Sequence, residues 1–547
     1  MDYLTSYKIW IEKADEATKA ELSSLDDKEI YDRFYRTLEF GTGGLRGILG
    51  AGTNRMNIYT VRQATQGLAQ ELIDCGAEEM TKGVVIAHDS RNMSREFALE
   101  CTKVLAANGI KTYLFDELRP TPELSFAVRY LKAARGIVIT ASHNPKEYNG
   151  YKVYGEDGGQ LALEPAKKIL NYINEIDIFE GVKLADPQYI EIGNDIDEKY
   201  LDAVKAQSQA VSVPDDFKLV YTPLHGSGNK LVRRILDMVG IKNVYVVKEQ
   251  ELPDGNFPTV KSPNPENKEA FTIAIKLAEE VGADIAIGTD PDSDRVGVVV
   301  KSRSGEYITF NGNQTGVLLC DFILTKLKES GKLPENGSVI KTIVTTEMIT
   351  AIANDYGIHV DNVLTGFKFI GEKIKEYEAN NSHTFVLGME ESYGYLAGTY
   401  ARDKDAVVAS MLVAQMAAEY AKSGKTLEDR LYELYEKYGY FTEDLVTMEL
   451  YGEEGSKKIA EMVDSYRNSD TADFEYIEKI DYLESEKTGL PKANVIKYIL
   501  PDNGYAVVRP SGTEPKIKFY LSICTNSKKE TDEKLAKLKT AFLGKNK

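Results

Sequence analysis

A chain of 547 residues is longer than one hydrophobic core organises, so three or four domains are expected. Apolar content of 42% and charged content of 28% are those of an ordinary folded protein and exclude a disordered one. With 67 Lys and Arg against 85 Asp and Glu, the net charge of −18 argues against nucleic acid as a partner but leaves small anionic substrates open.

The opening 38 residues read as charged amphipathic helices, with Trp10, Ile11, Leu22 and Leu25 as packing contacts. Charges run through this stretch and no apolar core interrupts them, so it does not read as a signal peptide. After it one pattern recurs: a short apolar strand, a polar or glycine-containing loop, then a helical segment. The instances are GVVIAHDSR at 83–91, GIVITASHN at 136–144, KLVYTPLHGSG at 218–228, DIAIGTDPDSDR at 284–295 and TFVLGMEESYGY at 384–395. Strands alternating with helices predict βαβ units and largely parallel sheets, with ligands at the carboxyl ends of the strands. The uncharged run AVVASMLVAQMAA at 406–418 is shorter than the ~18–20 residues of a membrane span, so a buried core helix is expected, and no membrane partner. Near the C-terminus, GYAVVRPSGTEPKIKFYLSI at 504–523 alternates apolar and polar residues as a half-buried antiparallel strand does, and an amphipathic helix closes the chain. Divisions are placed at 1–200, 201–318, 319–440 and 441–547. Cys75, Cys101, Cys320 and Cys524 show no metal or disulfide spacing, which fits reduced thiols in the cytoplasm.

Four loops carry chemistry. In the first, Ile137 to Thr140 end at Ala141-Ser142-His143-Asn144-Pro145. Neighbours on an extended chain point apart and the G-x-S-x-G elbow is missing, so Ser142 and His143 do not read as a hydrolase triad. Ser142 reads as a phosphoryl carrier with His143 and Asn144 as donors and Lys152 reaching back, or else the loop is a plain polar turn. In the second, Asp290, Asp292 and Asp294 resemble the start of a calcium loop, but Arg295 replaces its glycine and Lys301 its closing glutamate. Three carboxylates supplying few oxygens suit Mg²⁺ that shares its shell with water or phosphate. In the third, Glu390 and Ser392 lie on one side of an extended loop and could hold vicinal sugar hydroxyls; the alternative is a helix N-terminus. Asp403, Lys404 and Asp405 follow closely. In the fourth, Arg509, Ser511, Thr513 and Lys516 surround Gly512 and read as a phosphate grip or a polar hairpin loop; it is no Walker A loop.

Together, TASHNP, DPDSDR, GMEES and RPSGTEPK resemble the α-D-phosphohexomutase superfamily, the phosphoglucomutases and phosphomannomutases, over nearly the whole chain from FGTGGLRG at 40–47. The length and TGFKFIGEKI at 365–374 are similar to the phosphoglucomutase-2 type branch, which also contains phosphopentomutases. The resemblance implies an α/β protein in which three similar mixed α/β domains and a C-terminal α+β, TATA-box-binding-protein-like domain surround a central cleft. It implies a phosphoserine at Ser142 and Mg²⁺ on Asp290, Asp292, Asp294 and a Ser142 phosphate oxygen. Arg46 and Arg295 would neutralise the transferring group, and His143 and Lys152 match acid–base and phosphate positions. Glu390 and Ser392 match the pair on the sugar hydroxyls, with Lys368 nearby. Arg509, Ser511, Gly512, Thr513 and Lys516 match the loop holding the other phosphate. The implied activity is interconversion of glucose 1-phosphate and glucose 6-phosphate with glucose 1,6-bisphosphate as activator. The alternatives are a phosphopentomutase or phosphomannomutase, or a metal-dependent sugar-phosphate phosphatase, which would need no second phosphate grip. Two departures stand out: Pro291 where many relatives have glycine, and Phe367 where some phosphomannomutases have histidine, which favours a narrower substrate range.

Overall fold

Asp2, Asp15 and Asp26 each open a helix, Tyr3–Lys13, Glu16–Ser23 and Asp27–Phe34, their carboxylates accepting the N–H of Leu4, Thr18 and Glu29. Such caps satisfy donors the helix itself leaves unpaired. The three helices bury Leu22, Ile30, Phe34 and the single tryptophan, Trp10, which is 1% exposed. The Trp10 ring meets Phe34, Tyr59 and Phe179 edge-on at 5.2–5.8 Å, so the N-terminal helices are fastened to the body by aromatic contacts. Ile11 and Leu25 pack around this cluster as expected. The computed structural model describes residues 2–41, 44–450, 452–469, 474–501, 503–511 and 516–544.

Beyond Phe34 the described chain forms four sheets. The first runs Gly44–Ile48, Tyr148–Tyr154, Arg135–Ile139, Val84–His88, Thr112–Phe115, Ile190–Ile192 in spatial order. The second runs Tyr307–Phe310, Val296–Lys301, Ile285–Thr289, Lys218–Thr222, Asn243–Val246. His359–Val363, Gly337–Thr342, Thr384–Glu390 and Gly394–Ala397 make the third. All three are mixed rather than largely parallel. In each, a buried strand with a parallel neighbour turns back into an antiparallel partner: Arg135–Ile139 into Tyr148–Tyr154, Ile285–Thr289 into Val296–Lys301, Thr384–Glu390 into Gly394–Ala397. These three turns contain the first three loops, so the recurrence in the sequence is a structural repeat. The fourth sheet, Tyr440–Glu449, Lys516–Thr525, Tyr505–Pro510, Ile496–Ile499, Glu478–Asp481, is wholly antiparallel, and the fourth loop joins Tyr505–Pro510 to Lys516–Thr525.

The apolar run at 406–418 lies in the helix Ala406–Ala421, and every residue of the run is buried. A helix apolar all round must be covered all round, and helices Asn229–Met238 and Gly312–Glu329 pack against it. Among the described residues no helix is long and apolar enough to cross a membrane. Positions 200 and 318 lie inside the helices Asn194–Lys205 and Gly312–Glu329.

Candidate active site

Strand Arg135–Ile139 is buried throughout and carries Thr140, Ala141 and Ser142 to the end of the first sheet. Thr140 Oγ1 accepts the Ser142 N–H at 2.8 Å, and Ser142 adopts φ +52°, a left-handed conformation uncommon for a serine. This turn brings Ser142 Oγ within 3.1 Å of His143 Nδ1, so the expectation that the two side chains point apart is corrected: it assumed extended backbone. The hydroxyl donates to Asp290 Oδ2 at 2.8 Å. A carboxylate on the hydroxyl rather than on the imidazole is not triad geometry. Burial, then Arg295 and Arg46, hold the His143 imidazole well below its ordinary pKa. Arg46, on the strand Gly44–Ile48, donates from Nη1 to Asn144 Oδ1 at 3.3 Å.

Asp290, Asp292 and Asp294 sit in the turn after Ile285–Thr289, at most 1% exposed, with one oxygen of each within 4.8 Å of the others. Two carboxylates about 4 Å apart repel by about 4 kcal/mol at an effective dielectric of 20. The neutralising charges come from distant segments, Lys152 on the strand Tyr148–Tyr154 and Lys404 in the loop before Ala406–Ala421. Lys152 Nζ lies 3.0 Å from Asp292 Oδ2 and 3.7 Å from Asp294 Oδ2, and Lys404 Nζ lies 2.7 Å from Asp294 Oδ2. Burial alone would raise the Asp292 carboxyl, but Lys152 and Lys404 outweigh it and keep it ionised. Burial and the neighbouring aspartates push Asp290 well up, and Asp294 is raised by burial and Asp292. Asp292 Oδ1 and Asp294 Oδ1 are buried without a hydrogen-bond partner. Converging, unsatisfied carboxylate oxygens fit a divalent cation. Arg295 pairs with Glu266 and keeps its Nε 3.9 Å from Asp294 Oδ1.

Glu390 ends the strand Thr384–Glu390, 7% exposed, and Oε1 accepts the Gly366 N–H at 2.9 Å. Burial and Glu391, opposed by Lys404 and Arg295, raise its carboxyl to about 7. Ser392 is half-buried in the turn to Gly394–Ala397, so this loop is strand–turn–strand and the helix alternative falls. The backbone joins the second and third loops directly, Val296 N–H donating to Tyr393 O at 3.1 Å. Lys368 begins the helix Phe367–Asn380, mostly buried, its ammonium 4.8 Å over the Phe369 ring. Phe367 is 2% exposed in the core with Ile340, Val363 and Ile370, so it does not select a sugar by contact. In the fourth sheet Arg509 lies opposite Lys518, and the charges of both act on Glu391. Ser511 and Lys516 close that hairpin, Ser511 N–H donating to Lys516 O at 2.8 Å; Gly512 and Thr513 lie outside the described residues.

Two residues at this site were missed from the motifs. Thr121, at the start of the helix Thr121–Tyr130, donates from Oγ1 to Asp292 Oδ2 at 3.0 Å, and no motif marks it. Lys518 alternates with Phe519 and Leu521, which placed it on the polar face of its strand but gave no sign that this face meets the third sheet. Lys404, flagged only as a follower of the third loop, is held between Asp403 and Asp405. The second of these caps Ala406–Ala421 and accepts the hydroxyls of Tyr200 and Tyr400.

Models of the phosphoglucomutase/phosphomannomutase alpha/beta/alpha domains I, II and III match residues 37–179, 198–305 and 311–438. The chain belongs to this family. Curated members include a phosphoglucomutase of Staphylococcus saprophyticus, 37% identical over 94% of this chain and 96% of its own. A phosphoglucomutase of Staphylococcus aureus strain USA300 is likewise 37% identical, over 95% of this chain and 96% of its own. The fold is that of two solved phosphoglucomutase/phosphomannomutase structures. The Burkholderia thailandensis family protein has a TM-score of 0.68 at 19% identity, covering 92% of this chain and 95% of that one. The Paramecium phosphoglucomutase pp63/parafusin in its open form has a TM-score of 0.66 at 18% identity, covering 93% and 95%. Within this phosphoglucomutase/phosphomannomutase fold, the first three loops lie in domains I, II and III, and the fourth in the C-terminal sheet beyond the matched residues.

Proposed function

We propose that the protein is a phosphoglucomutase that interconverts glucose 1-phosphate and glucose 6-phosphate through phosphorylated Ser142. The observation that carries this reading is Ser142 Oγ at 2.8 Å from Asp290, in a chain 37% identical to curated phosphoglucomutases over nearly its full length. Asp290, Asp292, Asp294 and Ser142 would hold Mg²⁺, which when bound supplies positive charge to the phosphoryl oxygens. The phosphoryl group leaves Ser142 Oγ and bonds to the free hydroxyl of the sugar monophosphate, giving glucose 1,6-bisphosphate. The bisphosphate turns over, and its other phosphoryl group returns to Ser142. Arg46, Arg295 and Lys152 face the charge on the moving group, and positioning with charge neutralisation does most of the work in such transfers. His143, whose Nδ1 is 3.1 Å from the serine hydroxyl, takes and returns the proton. Glu390 and Ser392 hold sugar hydroxyls, with Lys368 beside them. Arg509, Ser511, Gly512, Thr513 and Lys516 hold whichever phosphate is not reacting. The domain divisions at 200, 318 and 440 and a cytoplasmic location belong to the same proposal.

The test is ³¹P NMR with Mg²⁺, a trace of glucose 1,6-bisphosphate, and glucose, mannose or ribose 1-phosphate in separate tubes. Fast appearance of glucose 6-phosphate alone is the expected result. Faster conversion of ribose 1-phosphate would overturn the substrate and leave the chemistry at Ser142 intact. A pH profile tests the sugar loop. A carboxylate accepts a hydroxyl proton and a carboxylic acid does so poorly, so kcat/KM should fall about tenfold per unit below the Glu390 value of about 7. Glu390 is faced by Lys404, Arg295, Glu391 and the Gly366 N–H, and burial raises the Glu391 carboxyl too, so Glu390→Gln decides: a flattened limb assigns it to Glu390, and an unchanged limb assigns it elsewhere. The sign for stability is opposite. A carboxyl raised from 4.5 to about 7 stabilises the fold below pH 4.5, and that contribution is lost as pH rises through about 7.

A further inference from the structure

The motif HDSR at 88–91 recurs with the other strand-end loops, yet nothing in the transfer above uses it. Its arginine is buried: Arg91 is 3% exposed, and its guanidinium faces the inner side of the serine loop. Nη1 donates to Pro145 O at 2.8 Å and Tyr148 O at 3.0 Å; Nη2 donates to Ser142 O at 2.5 Å and to Asn144 O. Four carbonyls of one turn thus converge on one planar fork. The other side of Ser142 is held through the same motif. Asp89 Oδ2 accepts Thr140 Oγ1 at 2.6 Å, and Thr140 Oγ1 in turn accepts the Ser142 N–H at 2.8 Å. A loop from the second domain closes over the fork. The Phe257 ring, 2% exposed, stacks 5.0 Å from the Arg91 guanidinium, and Ser262 Oγ donates to His143 O at 2.7 Å.

We infer that Arg91, capped by Phe257, is a positioning residue for phosphoryl transfer at Ser142; the inference rests on the function proposed above. Two physical facts require such a residue. A serine at φ +52° is disfavoured and persists only where its surroundings over-determine it. The buried carbonyls of Ser142 and Asn144 need donors, and a fork with donors on both Nη atoms satisfies them together with those of Pro145 and Tyr148, which lysine cannot match geometrically. The orientation also matters electrostatically. Carbonyl oxygens drawn inward to Arg91 are kept out of the space an anionic phosphoryl group occupies. Without the fork, peptide units of 142–148 are free to turn, and an oxygen facing the cleft repels that group.

The experiment compares the full-length protein with Arg91→Met, Arg91→Lys and Phe257→Leu, by hydrogen exchange and by steady-state kinetics. In Arg91→Met, exchange in 141–148 should rise about tenfold with little change in the other sheets. Its kcat should fall about 100-fold with KM within about twofold, because the sugar and distal-phosphate loops do not touch Arg91. Arg91→Lys should fall between, and Phe257→Leu should move both readouts the same way by less. If Arg91→Met does not fold, the other two variants decide. Unchanged exchange at 141–148, or a KM that rises in step with the loss of kcat, overturns the positioning role. Failure of the functional reading looks different. The unsubstituted protein would then take no phosphoryl group from glucose 1,6-bisphosphate by intact mass, while the exchange data would still decide the clamp.

Discussion

Ser142→Ala should lower kcat by about 10⁴-fold or more while the protein keeps its fold. The serine is buried and its side chain packs nothing larger than a hydroxyl, so alanine leaves no significant cavity. Alanine tolerates the left-handed backbone about as poorly as serine, and the Thr140 and Arg91 hydrogen bonds that hold the turn go to backbone atoms and survive. What disappears is the one oxygen to which a phosphoryl group can be attached. Intact mass after incubation with glucose 1,6-bisphosphate should show no phosphoryl adduct, and a coupled assay no turnover. Substantial residual mutase activity from the folded variant would remove Ser142 from the mechanism.

Asp290→Asn should separate stability from activity. Asp290 is fully buried, has Asp292 and Asp294 as neighbours and no lysine of its own, and burial with those charges pushes its carboxyl far up. An asparagine oxygen can still accept the Asp294 and Arg295 N–H groups now bonded to Oδ1, so the turn is retained. Without divalent cation the variant should therefore melt no lower than the unsubstituted protein, since the neutral amide avoids the cost of holding a buried charge beside Asp292 and Asp294. With cation the two diverge. Saturation at 100 times Kd stabilises a native state by about 2.7 kcal/mol, and the variant should lose that increment together with about 10²–10³-fold in kcat. Thermal melts with and without Mg²⁺ or Mn²⁺ check both parts. A variant that melts lower without metal but is still stabilised by it would show that Asp290 is held for structure.

The strand-end loops, the acidic triad and the buried helix at 406–418 were legible because each is contiguous: periodicity and local spacing carry them. The partners of those loops were not, because the topology brings them from distant strands and loops. Lys152 and Lys404 reach the triad across domain boundaries, and the charge of Lys518 acts on Glu391 from a separate sheet. Local rules failed where backbone was unusual. Ser142 and His143 come together only because Thr140 turns the chain left-handed, which no alternation pattern encodes. Phe367 neighbours Lys368 in sequence but packs in the core with Ile340, Val363 and Ile370, because neighbours on a helix diverge by about 100°.

The location of Trp10 has a practical consequence for spectroscopy. It is the chain's sole indole, sealed between the N-terminal helices and Tyr59 and Phe179, and far in sequence from every loop of the cleft. Intrinsic emission excited at the indole band therefore monitors the docking of one peripheral bundle. A denaturation curve read that way reports when residues 3–34 leave Ala51, Tyr59 and Phe179.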